Sequence, residues 1–138
     1  MTKLNVMKRA GKWVSTHPLS PGIRAGDILW MSATAPVDLE TSEPVTGDIQ
    51  TQMETVFNNL EAHLALEGAG LHRVVRCTLY LTRQADLAGA NEVYQRRFAE
   101  PYPARATLIV AGLVNPAYRV VLDTVAYRGT GARMGSSS

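Results

Sequence analysis

An arginine at the start of an apolar strand is the residue of this chain whose position most favours chemistry. Arg105 follows Pro103-Ala104 and precedes Thr107-Leu108-Ile109-Val110, a run typical of a β-strand. Burying a guanidinium without a partner is costly, and its planar fork fits a carboxylate. Two interpretations are open from the residues alone: an internal ion pair with a neighbouring acid, or a site that binds an anionic ligand.

The composition of the chain limits its possible functions. Its 138 residues are 46% hydrophobic and 19% charged, which fits one globular domain. The formal net charge is +2 and the basic residues are scattered, so we expect no nucleic-acid partner. No apolar stretch approaches the roughly 20 residues that span a membrane, so we expect no membrane partner. The single cysteine, Cys77, excludes an internal disulfide, no Cys/His spacing suggests a metal site, and a cytoplasmic location follows.

Apolar periodicity and turn residues predict the elements that must position Arg105, in the order β-β-α-β-α-β-β. The predicted strands cover 4–7, 27–32, 74–81, 105–111 and 119–127, and the predicted helices run from a Thr46 or Asp48 cap to Gly68 and from an Asp86 cap to about Ala99. This order favours an α+β architecture, a mixed β-sheet with both helices packed on one face. We assign residues 1–128 to a single domain and 129–138 to a flexible C-terminal tail.

Four short motifs occur in an order and spacing that resemble the RidA/YjgF family of reactive-intermediate deaminases over nearly all of positions 4–128. They are Pro18-Leu19-Ser20-Pro21 with Gly26-Asp27, Met31-Ser32-Ala33-Thr34, Asn91-Glu92-Val93-Tyr94 through Phe98, and Pro103-Ala104-Arg105. The resemblance implies a chorismate-mutase-like fold and a homotrimer with sites at subunit interfaces. It also implies hydrolysis of enamines and imines such as 2-aminoacrylate to 2-oxo acids and ammonia, with no cofactor.

The resemblance implies a place in the substrate site for five residues, four in these motifs and Thr107 just after the last of them. Arg105 would hold the substrate carboxylate, Ser32 would hydrogen-bond the substrate, and Asn91 would support the pocket from the second helix. Thr107 stands in place of a frequent cysteine whose backbone amide faces the ligand. Leu19 stands where many of these deaminases have a tyrosine, so the pocket is expected to be more apolar.

The last strand departs from the family pattern at the second expected catalytic position. With one additional residue allowed in the loop 114–118, Asp123 aligns with a glutamate that orients and activates the attacking water. Aspartate is one methylene shorter, which withdraws the carboxylate by about 1.5 Å. The alternative from the residues alone is a structural carboxylate, paired with Arg105 or Arg119.

Leu19 and Asp123 leave two other functions open. One is a deaminase or hydrolase for a different unsaturated amino acid, from aromatic or pyrimidine breakdown. The other is a non-catalytic trimer that binds a small carboxylate. Ligand-dependent thermal stabilisation without turnover would favour the second.

Overall fold

A single mixed sheet organises the protein in a computed structural model that describes residues 3–12 and 17–135. Its strands are β1 (Leu4–Val6), β2 (Gly22–Ala25), β3 (Ile28–Met31), β4 (Val74–Leu81), β5 (Ala104–Ile109) and β6 (Val120–Tyr127). The helices are α1 (Ile49–Ala65) and α2 (Leu87–Arg97), with two short 3₁₀ turns at Leu71–Arg73 and Gln84–Asp86. The predicted α+β architecture is confirmed.

The strand order separates β5 from β6, the last two strands in sequence. The sheet runs β1-β2-β3-β6-β4-β5, and only the β4–β5 pair is parallel. β6 is therefore central, and β5, which carries Arg105, is an edge strand although the two are consecutive in sequence. One side of β5 has no strand neighbour in the described part of the chain.

Strand β2 is the element that the sequence patterns do not predict. A turn is predicted over Arg24-Ala25-Gly26-Asp27, but the structure confines it to Gly26 and Asp27, and Gly26 takes a φ of 60°. Gly22–Ala25 pairs with β1 on one side and with β3 on the other. Backbone pairing on both sides makes this segment a strand, even though it lacks an alternating apolar pattern.

Helix α1 has both ends where the sequence predicts them. The Asp48 carboxylate accepts a hydrogen bond from Thr51 N at 2.8 Å, which caps the helix. Beyond the last turn, Gly68 takes a φ of 67°, a left-handed conformation that glycine adopts at little cost.

Asp86 directly precedes α2 as predicted, but its side chain does not cap the helix. The Asp86 side chain makes no capping hydrogen bond. It is buried instead, with Oδ2 3.4 Å from Arg119 Nε, so this carboxylate serves an ion pair between the start of α2 and the start of β6.

Both helices pack on one face of the sheet around an aromatic cluster. The ring centroid of Phe98 lies 5.1 Å from that of Phe57 and 4.8 Å from that of Tyr94, with the rings edge to face. This confirms that Tyr94 and Phe98 belong to the core. The other sheet face is uncovered in the described chain, and there Trp30 is 54% exposed and Leu108 is 42% exposed.

Cys77 lies in β4 beneath the helices and is fully buried, as predicted for a small hydrophobic residue. Burial raises the pKa of its thiol to about 11, which keeps the thiol protonated at neutral pH. Neither α1 nor α2 has the length and apolar character to cross a bilayer, and no other helix of the described chain does.

Candidate functional site

Arg105 lies on the helix-covered face of β5, because its Cα pairs with that of buried Cys77 in β4. Its Nε donates to Thr107 Oγ1 at 2.7 Å and its Nη2 donates to Asn91 Oδ1 at 2.7 Å. The guanidinium carbon lies 4.5 Å from the centroid of the Tyr94 ring. These neutral contacts fix the orientation of the guanidinium and leave its charge uncompensated.

An open pocket of about 370 Å³ lies beside this guanidinium. Its lining comprises Asn91, Tyr94, Gln95, Glu100, Tyr102, Pro103 and Arg105. The two hydrogen bonds use two of the five guanidinium N–H groups, which leaves three for another acceptor. Within the described residues Arg105 forms no ion pair, so the internal pair considered from the sequence is not made there.

Ser32 and Leu19 lie together in a second place, at the end of β3. They line a small cavity of about 50 Å³ with His63 of α1. The Ser32 hydroxyl donates to the Ser20 carbonyl at 2.5 Å, and Leu19 is 43% exposed. The structure therefore does not bring these two predicted residues to the Arg105 pocket of the same chain.

Asp123 lies on the uncovered face of the sheet. Its Cα pairs with that of Thr78 in β4, which pairs in turn with Ala106 of β5, while Arg105 pairs with Cys77. Since paired residues of neighbouring strands point to the same face, Asp123 and Arg105 point to opposite faces. β4 also separates their strands, by two spacings of about 4.8 Å.

The 32–34 segment lies beside β6 and pairs with the residue that precedes Asp123. Thr34 exchanges two hydrogen bonds with Leu122, at 2.8 and 3.0 Å, and so holds this segment against the strand. The structural ion pairs considered for Asp123 are not formed in the described chain, because Arg119 lies against Asp86 instead. By position the predicted site residues thus form two groups. Arg105, Asn91 and Thr107 contact one another. Leu19 and Ser32 line one cavity, and Asp123 is assigned to their group only because it lies on the strand that the 32–34 segment borders.

Tyr102 and Tyr94 are pocket residues that the sequence-predicted set does not contain. The Arg105 guanidinium lies over the Tyr94 ring in a cation–π contact. Tyr102 lines the pocket and is 39% exposed. Tyr94 belongs to the motif that runs from Asn91 to Phe98, and Tyr102 directly precedes Pro103-Ala104-Arg105, so proximity to these motifs is the available signal. Helical spacing alone indicates only a core role for Tyr94.

His63 is fixed as a neutral ring beside the Ser32 cavity. Its Nε2 accepts the Ala10 N–H at 3.2 Å, and its Nδ1 donates to the Asn59 carbonyl at 2.9 Å. Burial lowers the pKa of His63, and the positive charge of Arg9 lowers it further. Protonation at Nε2 would place an N–H of the ring opposite the Ala10 N–H, so that two donors would face each other. The folded state therefore disfavours the charged ring.

Acidification is therefore expected to destabilise the protein through His63. Because the unfolded ring protonates near pH 6.5 and the folded ring only at lower pH, the free energy of unfolding should fall as the pH drops below about 6.5, until it reaches the folded pKa. Above about pH 6.5 this contribution is constant. Urea unfolding from about pH 7.5 to 5 measures the slope, which is at most about 1.4 kcal/mol per pH unit for one group.

The His63→Gln variant should flatten this pH dependence, whereas His72→Gln should retain it, because His72 is exposed. Equal slopes in wild type and His63→Gln would contradict the assignment.

Comparison with known proteins identifies the family. The family model described as Endoribonuclease L-PSP matches residues 11–128. The chain belongs to the RidA/YjgF family. Among curated members it is 39% identical to protein DfrA of Myxococcus xanthus, over 86% of this chain and 89% of that protein. It is 30% identical to the 2-iminobutanoate/2-iminopropanoate deaminase of Dermatophagoides farinae, over 78% and 84% of the two chains.

Solved structures of RidA/YjgF proteins share the fold. RidA from the Antarctic bacterium Psychrobacter sp. PAMC 21119 superposes with a TM-score of 0.83 at 30% identity, over 89% of this chain and 98% of that chain. Escherichia coli TdcF with bound serine superposes with a TM-score of 0.83 at 25% identity, over 91% and 99%. The chorismate-mutase-like fold implied by the motifs is thus confirmed.

Proposed function

We propose that the protein hydrolyses enamine and imine intermediates, 2-imino acids of the 2-aminoacrylate type, to 2-oxo acids and ammonia in the cytoplasm, without a cofactor. The orientation of Arg105 carries the proposal: neutral partners hold its guanidinium beside an open pocket, and three of its N–H groups remain for a ligand. A 2-imino acid presents a planar carboxylate that matches this fork. The activity named for the Dermatophagoides relative supports this substrate class.

The proposed reaction assigns separate tasks to the two groups of residues. Arg105 holds the carboxylate, and the Asp123 carboxylate accepts a proton from a water molecule as the water oxygen attacks the imine carbon. The nitrogen takes up that proton to give a neutral carbinolamine. The carbinolamine hydroxyl then passes its proton through Asp123 to the nitrogen as the C–N bond breaks, so that the carbonyl forms and ammonia leaves. Positioning and proton transfer supply the rate enhancement.

We further propose that a homotrimer completes each site between neighbouring copies of the chain. Arg105 and Asp123 point to opposite sheet faces, so one chain alone does not place both on the same substrate. Arg105 is on an edge strand, which a second chain can approach, and the uncovered sheet face exposes Trp30 and Leu108. Exposed apolar surface of this kind is typical of subunit interfaces.

An assay with imines generated in place tests the activity. An amino-acid oxidase or a pyridoxal-phosphate lyase supplies a panel of 2-imino acids, semicarbazide traps the imine that survives, and added protein should lower the amount trapped. In the proposed trimer a neighbouring copy brings the apolar Leu19 to the Arg105 pocket, so larger apolar imino acids are expected to be hydrolysed at least as fast as small ones.

The absence of acceleration for every imino acid would overturn the deaminase proposal. A small carboxylate that raises the melting temperature of the same inactive protein would then favour the second candidate, a carboxylate-binding trimer. The feature that supports this candidate is Asp123, whose carboxylate is one methylene shorter than that of the glutamate in the family pattern.

A further inference from the structure

One side chain of the segment that follows β6, that of Arg133, binds four backbone carbonyls elsewhere in the protein. Arg133 Nε donates to the Pro101 carbonyl at 2.6 Å, and Nη2 donates to the Ala99 carbonyl at 3.0 Å. Nη1 donates to the carbonyls of Leu71 and Val74 at 2.9 and 2.8 Å. One guanidinium thus connects the chain beyond α2 to the turn before β4.

The contact is specific to this side chain. Arg133 is half-buried, with its guanidinium carbon 5.5 Å from the centroid of the Phe98 ring. Its neighbours Ala132 and Met134 are exposed, and Met134 is 85% exposed. The segment was predicted as part of a flexible tail over 129–138, of which 136–138 lie outside the described residues.

Two of the four carbonyls that Arg133 binds, those of Ala99 and Pro101, lie next to residues that line the Arg105 pocket. Ala99 and Pro101 flank Glu100, and Tyr102 and Pro103 follow, so three pocket positions adjoin the contact. This connection lies between the end of α2 and the start of β5. Outside helices and strands, no described backbone–backbone hydrogen bond involves residues 99–103. Their fixed position depends on side-chain contacts such as those of Arg133.

We propose that Arg133 is a positioning residue for the Arg105 pocket: it holds the 99–103 wall through the Ala99 and Pro101 carbonyls and ties it to the carbonyls of Leu71 and Val74. The kinetic part of this inference rests on the proposed deaminase function, and the structural part does not. Arg133 does not touch the substrate; it acts through the wall that Glu100 and Tyr102 present to the ligand.

Arg133→Ala is the test variant, and three others are matched to it. Arg133→Lys keeps the charge but cannot donate to four separated carbonyls. Arg128→Ala removes an equal charge from an exposed position between β6 and Arg133. Arg97→Ala removes ion pairs of α2 with Glu54 and Glu61 of α1, at 2.7 and 2.8 Å, and so loosens helix packing outside the pocket lining.

Two readouts are measured on each variant. The first is steady-state hydrolysis of an imino acid, and the second is amide hydrogen exchange at Tyr102, Ala104 and Arg105. For Arg133→Ala we expect KM to rise about tenfold with kcat within about twofold, because a displaced wall weakens binding before it affects the attacking water. Exchange at the three amides should rise about tenfold, while Arg97→Ala and Arg128→Ala leave both readouts near wild type.

The outcomes separate the two proposals. A wild type without imine hydrolysis, together with faster local exchange in Arg133→Ala, would overturn the deaminase function and support the positioning role. An active wild type with unchanged KM and exchange in Arg133→Ala would overturn the positioning role alone. So would a loss of melting temperature in Arg133→Ala with exchange no faster at these amides than in Arg97→Ala. If Arg133→Ala does not fold, Arg133→Lys supplies the same comparison.

Discussion

Replacing Arg105 by alanine is expected to lower kcat/KM for 2-imino acids by about 10²- to 10⁴-fold, since two charge-assisted hydrogen bonds to a carboxylate contribute about 1.5–3 kcal/mol each. The protein should stay folded, because the substitution removes two hydrogen bonds and one ring contact from a half-buried position on an edge strand. Turnover of imines and affinity for the 2-oxo acid product should fall together. Steady-state kinetics, product titration calorimetry and circular dichroism measure the three effects.

Two matched variants show whether activity depends on the bidentate geometry of the Arg105 guanidinium or only on its positive charge. Arg105→Lys keeps the charge but loses bidentate geometry, and should recover only a small part of the activity. Thr107→Val removes the oxygen that accepts from Nε and retains the backbone amide, and should cost much less than either. Wild-type deaminase rates in Arg105→Ala would contradict the carboxylate role of this residue.

Replacing Asp123 by asparagine is expected to lower kcat by about 10²- to 10⁴-fold, the usual contribution of a general base. The side chain keeps its size, so the fold and the assembly should not change. Product affinity should remain near wild type, because the carboxylate-binding group is Arg105 on the other face of the sheet. A lower kcat with an unchanged product affinity distinguishes this variant from Arg105→Ala, which should lose both.

Asp123→Glu is the matched control, since it extends the carboxylate by about 1.5 Å. Retained or increased activity would agree with a carboxylate that acts on water. If Asp123→Asn hydrolyses imines at the wild-type rate, Asp123 is a structural residue and another group activates the water.

The local surroundings of Arg105 follow from sequence, whereas the separation of the site into two groups does not. Arg105, Asn91 and Thr107 meet because α2 and β5 are consecutive and short connections keep them adjacent. Asp123 is only a few residues farther from Arg105 in sequence than Asn91 is, but β6 inserts between β3 and β4. The pairing of β6 with β3 and β4 is a property of the whole sheet, and no local pattern near residue 123 encodes it.

Side chains with the same local sequence pattern also make different contacts in the folded protein. Asp48 and Asp86 both precede a helix, yet only Asp48 caps one, because Arg119 lies close enough to Asp86 to form an ion pair. Arg133 lies in a segment whose glycines and small residues predict flexibility. Its four carbonyl partners come from two distant segments, and only the tertiary structure brings them together.

Mixing two inactive variants tests the central claim, an imine-hydrolysing site shared between copies of the chain. Arg105→Ala and Asp123→Asn are unfolded together in equal amounts and refolded, and imine hydrolysis is compared with each variant refolded alone. If each site takes Arg105 from one chain and Asp123 from its neighbour, random assembly restores about one quarter of the sites. Activity near one quarter of wild type is the predicted result, and a mixture as inactive as its components would contradict the shared site.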